Sequence, residues 1–123
     1  DYNYRFELGQ LYFEEGLMDL ALQQFQLSQR SPKVRTKSLL YMGRAFKGGK
    51  KYDLAVEQLQ TLTKELQLMD ETKKSAIYEL ADAFELMGRE SEAIEEYKKL
   101  YQHDIGYRDV ADKINAFYER KSG

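Results

Sequence analysis

The stretch "MGRAFKGGKKYDLAVEQL", Met42 to Leu59, decides the fold. A glycine pair followed by lysines and then by a helical pattern has two readings: a phosphate-binding loop, or an elbow between two helices. A Walker loop needs glycine, four residues, then Gly-Lys-Ser/Thr, with a strand in front. Counting from Gly43 reaches Gly48, but Gly49 follows where the lysine belongs. Counting back from Gly49-Lys50 puts Arg44 at the first glycine, and Lys51 stands where the hydroxyl should be. Apolar residues run at helical spacing on both sides, so the elbow is favoured.

Outward from this point the helical pattern continues through the whole chain. Runs at 4–14, 18–29, 36–47, 52–67, 73–87, 91–102 and 108–119 predict seven helices. Short breaks separate them at Glu15-Gly16, Ser31-Pro32, Lys47 to Lys51, Met69 to Glu71, Gly88-Arg89 and Asp104 to Gly106. Short connections force antiparallel neighbours, so the helices pair as hairpins. Asp53 and Ser91 are candidate N-caps, whose side-chain oxygens would accept an orphan backbone N–H, and Asp70 precedes another run.

The helices also repeat. "LGQLYF" (8–13), "MGRAFK" (42–47) and "LADAFE" (80–85) align, as do "ALQQF" (21–25), "AVEQL" (55–59) and "AIEEY" (93–97). Gly9, Gly43 and Ala81 are separated by 43−9=34 and 81−43=38 residues, and Ala21, Ala55 and Ala93 give the same two intervals. Two independent anchors with one set of offsets define a helix–turn–helix period of 34, extended once in the join around "LMDETK".

On these residues the chain resembles the tetratricopeptide repeat (TPR) family over about residues 2–106. Leu39-Met42-Gly43-Phe46 and Ile77-Leu80-Ala81-Phe84 follow the family order of large apolar, large, small, aromatic. The first repeat has Leu8-Gly9-Tyr12 but carries Arg5 at the large apolar place, which suits a repeat with no neighbour on its outer side. The resemblance implies an all-α, right-handed α-solenoid of about seven helices in a single domain over 1–123. Its repeats fall at about 2–33, 36–69 and 74–106, with a capping helix at about 107–121. The small residues let helices cross closely.

The resemblance also implies a concave groove lined by the first helix of each repeat. In repeat one it would present Asn3, Phe6, Gln10 and Phe13. Repeat two would present Lys37, Leu40, Tyr41, Arg44 and Lys47, and repeat three Ser75, Tyr78, Asp82 and Glu85. Aromatic residues and arginine dominate interface hot spots. The expected function is a non-catalytic protein–protein interaction module holding a segment of mixed charge, its acids near Arg44 and Lys47 and its bases near Asp82 and Glu85. The alternative is a structural segment of a longer solenoid, or a module for weak self-association.

Composition bounds other classes. There is no cysteine, and His103 is the single histidine, so thiolate or multi-imidazole metal sites are out of reach. Segment charges of −2 (1–33), +3 (34–70), −4 (71–106) and +1 (107–123) sum to −2 and give no continuous basic stripe for nucleic acid. The acids Glu79, Asp82 and Glu85, and Glu92, Glu95 and Glu96, read as solvated helix faces. No cofactor and no membrane span is expected. The compartment is left open, with the cytoplasm favoured.

Overall fold

Every break in the helical pattern ends a helix. The computed structural model describes residues 1–123 as seven α-helices without a strand. They are α1 (Tyr2–Glu14), α2 (Met18–Ser28), α3 (Arg35–Gly48), α4 (Tyr52–Glu65), α5 (Glu71–Leu86), α6 (Glu90–His103) and α7 (Val110–Ser122). Each packs on the next in the chain. The first helices of successive hairpins also touch, α1 on α3 and α3 on α5. The result is the expected α-solenoid, with α1, α3 and α5 side by side.

The elbow inside each hairpin is the same device three times. Gly16, Lys50 and Gly88, at separations of 50−16=34 and 88−50=38, hold left-handed φ of 80°, 62° and 76°. In each, the elbow residue's N–H and the next one reach back to the last turn of the preceding helix: Gly16 to Phe13 and Leu17 to Tyr12, Lys50 to Lys47 and Lys51 to Phe46, Gly88 to Glu85 and Arg89 to Phe84. These bonds satisfy carbonyls that a helix end leaves orphaned. The glycine pair is therefore not the break itself. Gly48 is still helical, Gly49 has φ −85°, and the left-handed position falls on Lys50. Gly48 serves another purpose, because a Cβ there would come within 2.8 Å of the Met18 methyl carbon.

Asp70, just ahead of α5, is an N-cap: its Oδ1 accepts from Lys73 N at 3.0 Å. The two candidate caps, Asp53 and Ser91, fail. The elbow delivers the chain into α4 and α6 so soon that Lys51 and Arg89 are the N-caps and neither caps with its side chain. Asp53 instead lies in the first turn, where its charge faces the positive helix end.

Packing follows the repeat. Ala21, Ala55 and Ala93 are fully buried, and so are Phe25, Leu59 and Tyr97 four residues later. The side chains of Phe25 and Leu59 lie against the crossing glycines, with no room for even a methyl group: a Cβ on Gly9 would be 2.5 Å from Phe25 Cε1, and one on Gly43 would be 2.5 Å from Leu59 Cδ2. Between hairpins one and two, the hydroxyls of the fully buried Ser28 and Ser38 lie 2.5 Å apart, and Ser38 donates to Val34 O at 2.7 Å. Both polar groups are thereby satisfied inside the core.

The last helix extends the pattern. Val110 and Ile114 lie 34 residues after Ala76 and Leu80, and are 0% and 4% exposed, so α7 covers α6 as α3 covers α2. Asn115, 34 residues after Ala81, faces solvent instead of a crossing helix. The opposite end is bare. Tyr4 and Leu11 are 61% and 59% exposed, whereas their counterparts Ser38, Ala76, Ala45 and Ala83 are fully buried by the preceding hairpin.

Candidate protein-binding groove

The side-by-side first helices leave two contiguous clefts. The first, about 520 Å³, lies between Asn3, Phe6 and Gln10 of α1 and Lys37 and Tyr41 of α3. The second, about 570 Å³, lies between Phe13 of α1, Tyr41, Arg44 and Lys47 of α3, and Glu79 and Leu86 of α5. Tyr41 is the wall they share. Its ring centroid is 5.5 Å from Phe6, 5.8 Å from Phe13 and 5.5 Å from Phe25, the first two edge to face. Such pairs stabilise beyond their area burial, so Tyr41 is structural as well as accessible.

The centre of the second cleft is ionic. Arg44 Nε donates to Glu79 Oε2 at 2.8 Å, and Lys47 Nζ binds both Glu79 Oε1 and Asp82 Oδ2, the latter at 2.8 Å. Arg44 also stacks on Tyr41, its Cζ 5.0 Å from the ring centroid. Glu79 is buried at 9% exposure. Burial alone would push its carboxyl up, but the hydrogen bonds and charges of Lys47 and then Arg44 outweigh that and hold it below the ordinary range. Burial likewise works against the Lys47 ammonium, yet Asp82 and Glu79 prevail and raise its pKa.

Two expectations are corrected here. Glu79 does not belong to a solvated acidic face; it is the hub of a part-buried network tying hairpin two to hairpin three. Nor do Arg44 and Lys47 stand open to a partner's acids, because Glu79 and Asp82 already bind them. The sequence holds a signal for this: Arg44 and Lys47 are three apart, Glu79 and Asp82 are three apart, and 79−44 and 82−47 are both 35.

Of the expected groove residues, Phe6, Gln10, Lys37 and Tyr41 meet in the first cleft, and Phe13, Tyr41, Arg44 and Lys47 in the second. Leu40 is core, at 7% exposure. Of the third-repeat residues, Asp82 is held by Lys47 at the centre of the second cleft, and the others are engaged elsewhere. The turn before α7 folds over Tyr78, whose hydroxyl donates to Asp109 at 2.6 Å while Arg108 Cζ lies 4.7 Å above its ring. Burial first, then Asp109, raises the Tyr78 pKa and keeps it a donor. Glu85 accepts from Tyr97 Oη at 2.5 Å and pairs with Lys113 at 3.1 Å. Ser75 hydrogen-bonds Glu71 at 3.1 Å and lies 3.3 Å from the Tyr107 hydroxyl.

His103 is exposed in the last turn of α6. No three His, Asp or Glu side chains converge where they could hold a metal ion. No helix is long and apolar enough to cross a membrane.

Comparison with known proteins agrees with the helical-repeat fold. The tetratricopeptide repeat family profile matches residues 37–65 and 75–103, the second and third hairpins. The crystal structure of MamA superposes with a TM-score of 0.82 at 21% identity, covering 99% of this chain and 69% of that one. A TPR-like protein from Chlorobium tepidum TLS superposes with a TM-score of 0.65 at 17% identity, covering 97% and 90%. At these identities the likeness concerns the fold. No curated protein sequence matches the chain. With two profile matches and an elbow that recurs at the repeat interval, the second and third hairpins are tetratricopeptide repeats, in a chain whose fold is that of a TPR-like solenoid.

Proposed function

We propose that residues 1–123 act as one non-catalytic module that binds a protein or peptide segment along the concave face of α1 and α3. The observation that carries this is the pair of contiguous clefts sharing Tyr41, walled by Phe6 and Phe13. Aromatic side chains beside pockets are what interface hot spots use, and protein–protein interaction is the general role of the TPR family. The segment is of mixed charge. Lys37, exposed on the rim and outside every ion pair of the chain, takes an acidic residue; Glu7 and Glu14 on the α1 rim take basic ones. These rim charges set register and on-rate more than affinity.

A photo-crosslinking residue in place of Lys37, with one in place of the exposed Gln60 on α4 as control, tests this. Capture of the same protein from position 37, absent from position 60, is expected. Equal capture from both sites refutes the groove.

The bare face of α1 favours a second reading, in which Tyr4 and Leu11 stack against a second copy or a further hairpin. Sedimentation velocity separates these: a monomer at all concentrations, unchanged by Tyr4→Lys, excludes self-association.

A further inference from the structure

The charges at the centre of the groove are spent on one another. Arg44 and Lys47 supply two cations, Glu79 and Asp82 two carboxylates, so the quartet is neutral. What the second cleft offers an incomer is the Phe13 and Tyr41 rings and the half-exposed Leu86, with the exposed Glu14 on the α1 rim repelling acids as well, while Gly48 adds no side chain. We infer that Glu79 is a built-in counter-ligand: it neutralises the basic centre, so that this cleft accepts a bulky uncharged side chain of the bound segment and rejects an acidic one. The inference rests on the groove-binding reading and names the residue class that anchors there.

The physical reason is an exchange without gain. A partner carboxylate could reach Arg44 and Lys47 only by displacing Glu79. That side chain is on the α5 face it shares with the buried Ala76 and Ala83, one turn away on either side, and its own side-chain exposure is 11%. Swinging out would trade two short ion pairs for equivalent ones and would add the desolvation of the newcomer. A partner ammonium gains nothing from the neutral quartet and is left to Glu14 on the α1 rim. An aromatic or branched apolar side chain meets neither obstacle and removes the Phe13, Tyr41 and Leu86 surfaces from water.

The test uses two small probes, N-acetyl-phenylalanine amide and N-acetyl-glutamate amide, titrated at millimolar concentration into ¹⁵N-labelled protein. In the wild type the phenylalanine probe should move the amide signals of Phe13, Tyr41, Gly48 and Leu86 saturably, and the glutamate probe should move none of them. Glu79→Gln, which keeps the shape and one acceptor but not the charge, should bind the glutamate probe at least tenfold more tightly than the wild type does. Arg44→Gln, leaving the quartet net negative, should keep the phenylalanine response and stay blind to glutamate. Equal wild-type responses to both probes, no response to either, or a folded Glu79→Gln indifferent to glutamate each overturn the inference. If Glu79→Gln does not fold, the wild-type and Arg44→Gln comparisons decide it. Crosslinking from position 37 depends on none of these results, so the groove itself stands or falls separately.

Discussion

Two glycines of one helix should respond to alanine in opposite ways. At Gly43 a Cβ would lie 2.5 Å from Leu59 Cδ2 and 2.6 Å from Leu59 Cγ, whereas ordinary contact begins at 3.4 Å, a shortfall of 3.4−2.5=0.9 Å. Leu59 is fully buried, so it cannot retreat without moving its neighbours. Overpacking of this kind costs about 1–3 kcal/mol, against about 1 kcal/mol gained because alanine is the better helix former. Gly43→Ala should therefore be destabilised by about 0–2 kcal/mol. At Gly48 the nearest atom is the Met18 methyl at 2.8 Å, the free end of a flexible side chain. Gly48→Ala should keep most of the propensity gain, about 0.5–1 kcal/mol. Urea unfolding of both variants, with m unchanged, measures the difference. The result that refutes the crossing-residue argument is a Gly43→Ala protein as stable as Gly48→Ala. A double-mutant cycle adds a second check: combined with Leu59→Ala, the Gly43→Ala penalty should vanish, because the colliding atoms are gone.

Other variants probe the elbow, the ion network and the groove. Lys50→Gly should stabilise the protein by about 1 kcal/mol in the same urea assay, since a left-handed φ strains any residue with a Cβ. Glu79→Gln leaves two part-buried cations short of a partner and should lose about 1–3 kcal/mol at neutral pH, less than a fully buried pair would. Because the Glu79 pKa is depressed in the fold, its contribution is present above the unfolded carboxylate value of about 4.3 and lost as the pH falls through the folded value. The gap between wild type and Glu79→Gln in thermal melts should accordingly narrow in acid; a gap constant from pH 7 down to pH ~3 contradicts the depressed pKa. Lys37→Glu should weaken capture of the groove partner without moving the melting temperature. Tyr41→Ala should do both, because Tyr41 supports Phe6, Phe13 and Phe25.

The repeat was legible because its cause is local. Apolar spacing marks each helix, and the crossing positions Gly9, Gly43 and Ala81 must be small whatever surrounds them. The elbow was harder to read. Gly48-Gly49 advertises a break in composition, yet the left-handed residue is Lys50, and only the alignment of 16, 50 and 88 betrays it. The caps at Asp53 and Ser91 failed for the same reason, since the elbow starts the next helix before a side chain can cap it. The ionic centre of the groove was the least visible feature. Arg44 and Glu79 read as free charges on separate helices, and whether they meet depends on which faces hairpins two and three present to each other. Phe6, Phe13 and Tyr41 do line the two clefts, because the helical period puts them on the shared face of α1 and α3.

The uncovered face of α1 has a consequence for how the molecule breathes. In a linear array each unit is held by its own intrinsic stability plus the coupling to its neighbours. Within residues 1–123, hairpin three has a neighbour on both sides, hairpin two and α7, whereas hairpin one is coupled on one side only. In these residues by themselves, sub-global opening should begin at the α1 end, and amide protons of α1 should exchange through fluctuations that leave α5 protected. The first cleft is built half from this least protected helix. A segment bound between Phe6 and Lys37 would thus clamp the loose end of the array to its interior, and part of its binding free energy would be drawn off in holding that end shut.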